Sequence, residues 1–456
     1  MTEHPASVAR RRRWGTSSRI REFAILLLGV ALVVTAIFGT YLLLQRMPSP
    51  PKGWLAVFGV ALLLAFLILL LARYALLAVL GYLQHIEARV REGDPATVDE
   101  LEPVTLIVPA FNEGPVIENA LRSLLQLDYP AYEILVVDDG STDDTAIRVA
   151  AMEGRYGDVV IRLVRRDNGG KAAALNTGIQ LARHRFVLCM DGDSRLSRNT
   201  LRAAMPHFRD PHVAAVAGNV KVVNRNNLWT RLQALEYVEG LNMARWAQAY
   251  LRSVNIIPGP VGLFRREVLL EVGGYETDTF AEDADLTLRL LRRGWRIVYE
   301  DQAIAYTEAP EKLRDLLKQR YRWTRGILQA LAKQLSGLLW PSNGPAVFFS
   351  LHLMFFEALL WPAANIIGNL AFVILAVTQG GSEFVILWWV LLTILDVMAA
   401  LYTVAMEEED LKLVLYAPIY RLFFIVIIDV TKLCATVEQL LGVRMTWGKL
   451  DRAGRI

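Results

Sequence analysis

The sequence predicts an α/β domain with a mostly parallel sheet, flanked on both sides by transmembrane α-helices. Hydrophobic residues make up 54% of the 456 residues and charged residues 21%, but the two classes are segregated. Both ends of the chain are strongly apolar, whereas about residues 83 to 330 have the composition of a soluble protein. Within that middle part, short apolar runs alternate with stretches of helical spacing, which is typical of βαβ units around a parallel sheet.

The N-terminal part is predicted to hold a basic cytoplasmic segment and two spans, residues 1–22 and 23–82. Six arginines stand against two glutamates before Phe23, and Phe23 to Leu44 carries no charge over 22 residues. That run can cross a bilayer as a helix, and Trp54 to Ala72 can cross back. A signal peptide is disfavoured because its apolar core would be shorter and a second span follows at once. By the positive-inside rule, the N-terminus and the middle domain lie in the cytoplasm.

The middle domain is predicted to cover residues 83–310. Each predicted strand is a short, nearly continuous apolar run, as expected when helices cover both faces of a sheet. The strands are Thr105 to Val108, Ile134 to Val137 and Phe186 to Met190, and helical spacing is found in 116–125, 144–151 and 171–182. Ser141 or Thr142, with Asp143 and Asp144, is predicted to cap the second of these helices.

The C-terminal part is predicted to contain amphipathic interfacial helices in residues 311–344, about three spans in 345–440 and a basic tail in 441–456. Five spans in total place the tail outside, whereas its basic charge favours the inside. A division of the first apolar run at Pro362 gives six spans and reverses both assignments. The sequence leans toward five.

Four charged residues fall within the predicted C-terminal spans: Asp396, Arg421, Asp429 and Lys432. Such charges usually face a protein interior or a water-filled path. The alternative is that Arg421 and Lys432 extend to opposite interfaces.

Composition excludes two other classes of protein. The net charge of +3 is small and no basic stripe with interleaved aromatic residues appears, so we expect no nucleic-acid partner. Cys189 and Cys434 lie in apolar runs of different segments, which predicts two buried thiols and no disulfide framework.

The first polar cluster, Asp191-Gly192-Asp193, follows the third predicted strand. Ligands bind at the carboxyl ends of strands in open α/β sheets, and two carboxylates there can reach one divalent cation. Mg²⁺ or Mn²⁺ suits such oxygen ligands. An EF-hand is excluded because its twelfth position would be Arg202. An ordinary polar turn is the alternative.

Further polar clusters end the other two predicted strands and open a helix. Glu113 follows the first strand, Asp138 and Asp139 end the second, and Gly170-Lys171 opens a helix. Together they suit a nucleotide. No Gly-x-Gly-x-x-Gly follows the first strand, and Ala172 stands where a P-loop has Ser or Thr, so dinucleotide and P-loop sites are disfavoured. Lys171 favours a phosphate contact over a solvated position.

Two later clusters complete a possible active site. Asp283 is a candidate general base, although Glu282 and Asp285 could equally be charges that favour a helix N-terminus. The run Gln319-Arg320-Tyr321-Arg322-Trp323 follows, where Trp323 could simply anchor an interfacial helix. Taken singly, each alternative is as good as the functional interpretation. Taken together, in this order and between membrane spans, the clusters favour one site.

This set of motifs resembles that of the processive, membrane-embedded family-two glycosyltransferases, over about residues 100 to 330. Members include cellulose, chitin, hyaluronan and poly-N-acetylglucosamine synthases. The resemblance implies the GT-A fold, which is Rossmann-like with a mostly parallel sheet. It also implies a UDP-sugar donor, a polysaccharide acceptor, a bound Mg²⁺ or Mn²⁺, and a place in the plasma membrane with the catalytic domain in the cytoplasm.

The resemblance also implies a role for each matching residue. Asp283 would be the catalytic base, although Ala281 stands where the family usually has Thr. Asp138 or Asp139 would bind the uracil end. The other donor-binding residues would be Glu113, Lys171, Asp191, Gln319 and Arg322, the metal ligands Asp191 and Asp193, and the acceptor-binding residues Trp323, Glu282, Gly259, Pro260 and Gly262.

Within the family, Phe280 to Leu286 and Thr307 to Glu311 look most like bacterial poly-β-1,6-N-acetylglucosamine synthases. The expected reaction is inverting transfer of N-acetylglucosamine to a growing β-linked polysaccharide, with export across the membrane and possible small partner subunits. The alternatives are a synthase of another β-glycan, a non-processive transferase that forms a glycolipid, and a membrane protein with a degenerate domain.

Overall fold

In the computed structural model, residues 16–45, 53–91, 101–335, 344–379 and 382–443 are described. Most of the predicted basic N-terminal segment, nearly all of the predicted basic tail and part of the predicted interfacial stretch lie outside these ranges. The helices are α1 Thr16–Gln45, α2 Trp54–Arg91, α3 Gly114–Leu124, α4 Thr145–Ala151, α5 Lys171–Leu181, α6 Thr200–Ala204, α7 Leu228–Leu235, α8 Met243–Tyr250, α9 Arg266–Glu271, α10 Glu282–Arg292, α11 Leu313–Lys333, α12 Pro345–Phe355, α13 Trp361–Gln379, α14 Ser382–Met406, α15 Ala417–Ile419 and α16 Ile425–Leu440.

Five shorter helical segments connect some of these helices. π-Helical segments join α7 to α8, α12 to α13 and α15 to α16, and 3₁₀ turns follow α6 and precede α15. In chain order they are Met205–Arg209, Glu236–Asn242, Phe356–Leu360, Leu411–Tyr416 and Tyr420–Phe424.

The middle domain is built on one sheet, with nine strands in the described part of the chain. They are β1 Val104–Ala110, β2 Tyr132–Asp138, β3 Gly154–Tyr156, β4 Val159–Arg165, β5 Phe186–Cys189, β6 Ser194–Leu196, β7 Val213–Val222, β8 Gly262–Arg265 and β9 Arg296–Thr307. The spatial order is β3-β4-β2-β1-β5-β8-β7-β9-β6.

The strand directions place most carboxyl ends at one edge. β1 is parallel to β2 and β5, β2 is parallel to β4, and β7 is parallel to β9. β8 is antiparallel to both β5 and β7, so β7 and β9 run in the direction of β1. The predicted mostly parallel α/β sheet is therefore confirmed, and the antiparallel β3, β6 and β8 are additions that the sequence did not predict.

The two faces of the sheet enter two hydrophobic cores because side chains alternate along a strand. In β1, Leu106 and Val108 belong to one core and Ile107 to the other. The core around Ile107 continues into the membrane helices, where it includes Leu67 and Trp388. The middle domain and the helix bundle thus share buried surface.

Five segments of the described chain are long and apolar enough to cross a membrane: Ile20–Gln45, Val57–Val90, Pro345–Ile374, Ile386–Met406 and Leu411–Leu440. They coincide with the five predicted spans. The second helix continues well beyond Ala72. Arg73 lies within it, and its Nε donates to Glu357 Oε1 at 3.2 Å. Pro362 does not divide the third segment, because it follows a π-helical turn within continuous helix.

Asp396, Arg421 and Asp429 each have a polar partner inside the protein. Arg421 Nε lies 3.1 Å from Asp396 Oδ2 and both side chains are buried, so the extension of Arg421 to an interface is wrong. Asn365 Nδ2 donates to Asp429 at 2.6 Å. A buried charge is costly unless it is paired, which explains these contacts.

The two cysteines differ in exposure. Cys189 is buried in the sheet, as predicted. Cys434 is exposed, so its predicted burial is wrong. The reason is that α16 buries the next two residues, Ala435 and Thr436, against the protein and turns Cys434 outward.

The last apolar segment, Leu411–Leu440, is attached to the domain at both ends. Near its start, Arg231 on α7 donates to the hydroxyl of Tyr416 at 2.5 Å. At its end, Arg325 on α11 donates to Gln439 Oε1 at 2.8 Å and to the carbonyl of Val443 at 2.6 Å. Both ends of the segment therefore lie against the domain.

Candidate active site

The turn after β5 carries the predicted metal ligands. A Cβ on Gly192 would lie 2.6 Å from the carbonyl oxygen of Pro109, so only glycine allows this turn to approach the end of β1. Asp193 is buried and Asp191 is half-buried. Both carboxylates thus stand at the sheet edge where ligands bind in open α/β folds.

The two aspartates that end β2 have different surroundings. Asp139 accepts hydrogen bonds from the backbone N–H groups of Gly169 and Gly170 at 3.1 and 2.7 Å and pairs with Arg166. Asp138 is buried and accepts from the N–H of Ser141 at 3.3 Å. Asp139 therefore fixes the loop that begins α5, where Lys171 is the first residue.

Glu113 lies in a loop that is tied to the loop after β2. Asn112, with a positive φ of 54°, accepts the N–H of Thr142 at 2.8 Å. The N–H of Glu113 donates to Thr145 Oγ1 at 2.8 Å. The cap predicted at Ser141 or Thr142 is wrong, because α4 begins at Thr145 directly after Asp144, and it is Asp143 that accepts the N–H of Thr145 at 3.0 Å.

Lys171 joins two of the predicted clusters. Its Nζ lies 2.6 Å from Asp191 Oδ1 and 2.9 Å from Glu282 Oε1. Burial by itself lowers the pKa of Lys171, but Asp191, Glu282 and Asp283 together raise that pKa above its ordinary value. The lysine is therefore charged, and its two ion pairs link the Asp191 carboxylate after β5 to Glu282 at the start of α10.

The predicted acceptor loop borders this ion pair. A Cβ on Gly259 would lie 2.9 Å from Lys171 Nζ and 3.3 Å from the Asp191 carboxylate, so a larger residue would clash with both side chains. Pro260 is half-buried in the same loop, and Gly262 opens β8. The structure thus places Gly259 beside the carboxylate after β5, whereas Gly262 pairs with Cys189 at the end of that strand.

Asp283 lies in the first turn of α10. The N–H of Ala284 donates to its Oδ1 at 2.8 Å. Burial and the neighbouring charge of Glu282 raise the pKa of Asp283 to about 6, against the lowering effect of Lys171. A carboxylate with such a pKa is ionised at neutral pH and basic enough to accept a proton. Asp285 differs, because it is fully buried and holds an arginine of its own helix.

Helix α11 packs directly on the loop that precedes Asp283. A Cβ on Gly326 would lie 2.5 Å from the backbone nitrogen of Ala281. The N–H of Phe280 donates to Gln329 Oε1 at 3.0 Å. These contacts place the Gln/Arg/Trp cluster of α11 on the same side of the domain as the candidate base.

Within that cluster, Gln319, Arg322 and Trp323 are half-buried. Arg320 is buried, and the carbon of its guanidinium lies 4.2 Å from the centroid of the Trp323 ring. The ring of Tyr237, on the π-helical segment, lies 6.4 Å from that of Trp323. The cluster is therefore a packed group of side chains and not an isolated surface motif.

Sequence reasoning missed three residues of this group. Arg320 stood inside the motif but received no role, and Glu236 and Tyr237 were not considered. Arg320 Nε donates to Glu236 Oε1 at 3.0 Å, across 84 residues of sequence. The positive charge of Arg320 within the motif was the only signal in the sequence. Its partners lie on a π-helical segment, which has no sequence pattern that could have revealed them.

The residues that could hold a metal are the two aspartates after β5. The described ranges contain no group of three or more His, Cys, Asp and Glu side chains that could hold an ion. Two carboxylates nevertheless fit Mg²⁺ or Mn²⁺, because such ions are often bound by one or two carboxylates with substrate phosphates and water. The donor set is consistent with a cation that binds together with a diphosphate.

The chain is similar to known proteins over the same region. Residues 102–326 match the family model described as "Glycosyltransferase like family 2". A poly-beta-1,6-N-acetyl-D-glucosamine synthase of Staphylococcus aureus (strain COL) is 32% identical over 268 residues, which cover 58% of this chain and 63% of that protein. The synthase of the same name from Staphylococcus epidermidis is 29% identical over 259 residues, with 57% and 61% covered. The match thus spans less than two thirds of these relatives.

One solved structure supports the fold. A mannosyltransferase of Pyrobaculum calidifontis, in complex with GDP-Man and Mn²⁺, superposes with a TM-score of 0.58 at 26% identity. The alignment covers 84% of this chain and 100% of that one. The GT-A fold that the resemblance implied is confirmed by this likeness.

Proposed function

We propose that this chain, whose residues 102–326 match the model described as "Glycosyltransferase like family 2", is an inverting, processive membrane glycosyltransferase. It transfers N-acetylglucosamine from a UDP-sugar to a growing β-linked polysaccharide. The observation that carries the proposal is the bridge from Asp191 through Lys171 to Glu282, which brings the proposed metal ligand Asp191 close to the candidate base Asp283.

In this mechanism, Asp283 removes the proton from the acceptor hydroxyl as that oxygen attacks the anomeric carbon. Its buried position beside Glu282 supports this role, because both raise its pKa toward the working range. Lys171 contacts the diphosphate from the N-terminus of α5, and Asp138 is the residue that we propose for the base of the nucleotide. A single displacement inverts the configuration at the anomeric carbon, so an α-linked donor gives a β-linked product.

A bound Mg²⁺ or Mn²⁺ would supply positive charge that stabilises the departing diphosphate. Asp191 and Asp193 are the ligands that we propose, and the Mn²⁺ in the related mannosyltransferase structure supports the choice. Asp193→Ala should remove the metal dependence of UDP binding, measured by titration with and without Mn²⁺. Unchanged Mn²⁺ dependence would place the cation elsewhere.

The donor is proposed to be UDP-N-acetylglucosamine, because the relatives from both staphylococci are named as synthases of its polymer. The test incubates the purified full-length protein with single nucleotide sugars and Mg²⁺ or Mn²⁺, and analyses the products. Incorporation from UDP-N-acetylglucosamine above that from UDP-glucose and GDP-mannose is expected. Preference for either of the others would reject the donor, and a product with one added sugar would reject processivity.

The membrane is the proposed location, with the domain on the cytoplasmic face of the plasma membrane. Five apolar segments flank the domain, and one hydrophobic core runs from the sheet into the bundle. A bundle joined to the domain in this way could guide the growing chain across the bilayer. Small membrane or export subunits are possible partners of that step.

A further inference from the structure

Arg320 is buried on α11 with every part of its guanidinium engaged. Its Nε donates to Glu236 Oε1 at 3.0 Å, and its Nη2 donates to the other oxygen of the same carboxylate. Its Nη1 donates to Gln319 Oε1. Such a two-pronged contact between arginine and a carboxylate fixes the plane of the guanidinium.

That fixed plane supports the aromatic ring beside it. The guanidinium carbon stands 4.2 Å from the centroid of Trp323 and 6.0 Å from that of Tyr237. A cation over an indole face is attracted by the ring, so the orientation of Trp323 follows that of Arg320. The same guanidinium holds the amide oxygen of Gln319, which leaves the amide NH₂ as the group that can donate to a ligand.

We propose that Arg320, held by Glu236, is a positioning residue that orients Gln319 toward the donor and Trp323 toward the acceptor sugar. This inference rests on the proposed function, in which Trp323 stacks on the end of the growing chain. Because one buried guanidinium sets both side chains, donor and acceptor are aligned by a single group. The carboxylate that holds it comes from the π-helical segment and not from the motif.

A merely structural ion pair would behave differently, and the domain offers one for comparison. Glu133 on β2 is buried and accepts from Arg162 Nη1 at 2.6 Å. It stands near the amino end of its strand, whereas the candidate site lies at the carboxyl ends. Glu133→Gln therefore weakens a buried pair of the same chemistry away from the site.

The experiment uses full-length protein in lipid nanodiscs with UDP-N-acetylglucosamine. Arg320→Lys, Glu236→Gln, Trp323→Ala and the control Glu133→Gln are compared for melting temperature, UDP affinity, turnover and product length. Lysine keeps the positive charge at position 320 but lacks the planar, forked guanidinium of arginine. If Arg320 only balanced the charge of Glu236, Arg320→Lys would therefore keep normal turnover and product length. We expect Arg320→Lys and Glu236→Gln to shorten the product and lower turnover by about tenfold to a hundredfold, because small displacements of positioned groups have effects of that size.

UDP affinity should fall less than turnover in both variants, while Glu133→Gln should lower only the melting temperature. If Trp323→Ala abolishes long product but Arg320→Lys and Glu236→Gln match the control, the positioning role is overturned and the proposed function stands. If Trp323→Ala itself makes normal product, the acceptor role in the proposed function is at fault. Should Arg320→Lys fail to fold, Glu236→Gln decides, since it keeps the size of the side chain.

Discussion

The proposed donor edge and the proposed acceptor wall of this protein are held together by different means. The donor edge consists of the loops after β1, β2 and β5, and backbone groups fix it. Asp139 accepts two backbone N–H groups, and Gly192 allows backbone contact with the end of β1. The acceptor wall, formed by the π-helical segment and α11, depends on side chains such as Arg320 and Glu236, which pair across 84 residues of sequence.

The difference teaches where each half is vulnerable. The donor edge should not tolerate the loss of Asp139 or the addition of a Cβ at a close approach of two backbones. The acceptor wall should not tolerate the loss of one partner of its ion pair, because the other charge is then left buried.

The largest effect is expected between the two halves, at Asp283. Asp283→Asn should lower turnover by at least about a hundredfold, which is the usual contribution of a general base, and leave UDP affinity nearly unchanged. Turnover and UDP binding of the purified variant check this. Asp315→Asn, in the first turn of α11, is the matched control and should keep normal turnover. A folded Asp283→Asn variant with near-normal turnover would reject the base.

The next effect tests the donor edge. Gly192→Ala should weaken metal-dependent UDP binding strongly, because the new Cβ would lie 2.6 Å from the carbonyl of Pro109. Overpacking of this kind costs about 1–3 kcal/mol. Calorimetric titration with UDP and Mn²⁺ measures it. Gly240→Ala is the control, since its Cβ would meet its nearest neighbour at an ordinary 3.8 Å. Equal UDP affinity in both variants would argue against a backbone-fixed donor edge.

A smaller and more selective effect tests the acceptor wall. Trp323→Ala should weaken acceptor binding by about tenfold, since truncation of an aromatic contact residue costs more than about 1 kcal/mol. UDP should still bind, with little long product and slow hydrolysis of the donor. Product sizing checks this against Trp229→Ala, which removes another half-buried tryptophan on α7. Product of unchanged length and rate would favour a membrane anchor at Trp323.

The smallest effect is a shift along the pH axis. The pKa of Asp283 is raised to about 6, first by burial and then by Glu282. A base must be ionised, so turnover should rise as pH increases through about 6 and level off above it. Glu282→Gln removes a negative neighbour and should move this rise to lower pH. A pH profile of turnover measures both, and an unmoved profile would contradict the coupling.

The sequence predicted where Asp191, Asp138 and Lys171 stand relative to strands and helices, because these positions are local. Each residue stands where an apolar run ends at a turn or where a helix begins, and turns are specified by neighbouring residues. The antiparallel β8 and the partners of Arg320 could not be predicted in this way. They depend on contacts between distant segments, and a charged residue such as Glu236 shows no preference for one distant partner.

The membrane helices show the same limit. The apolar runs located the spans, but the pairing of Arg73 within α2 could not be predicted, because its partner Glu357 comes from a segment much later in the chain. Arg421 was assigned two alternatives, and only its buried partner Asp396 distinguishes them. Length and hydropathy thus locate a span, whereas its charged residues are explained only by the neighbours that the fold supplies.

The attachment of the last apolar segment at both ends has a consequence for movement. Tyr416 is held by α7 and Val443 by α11, so both ends of the segment are joined to elements of the domain. A segment fixed at two points cannot tilt independently of the elements that hold it. A displacement of α11 would therefore move the end of this segment, and the helix bundle would follow the domain.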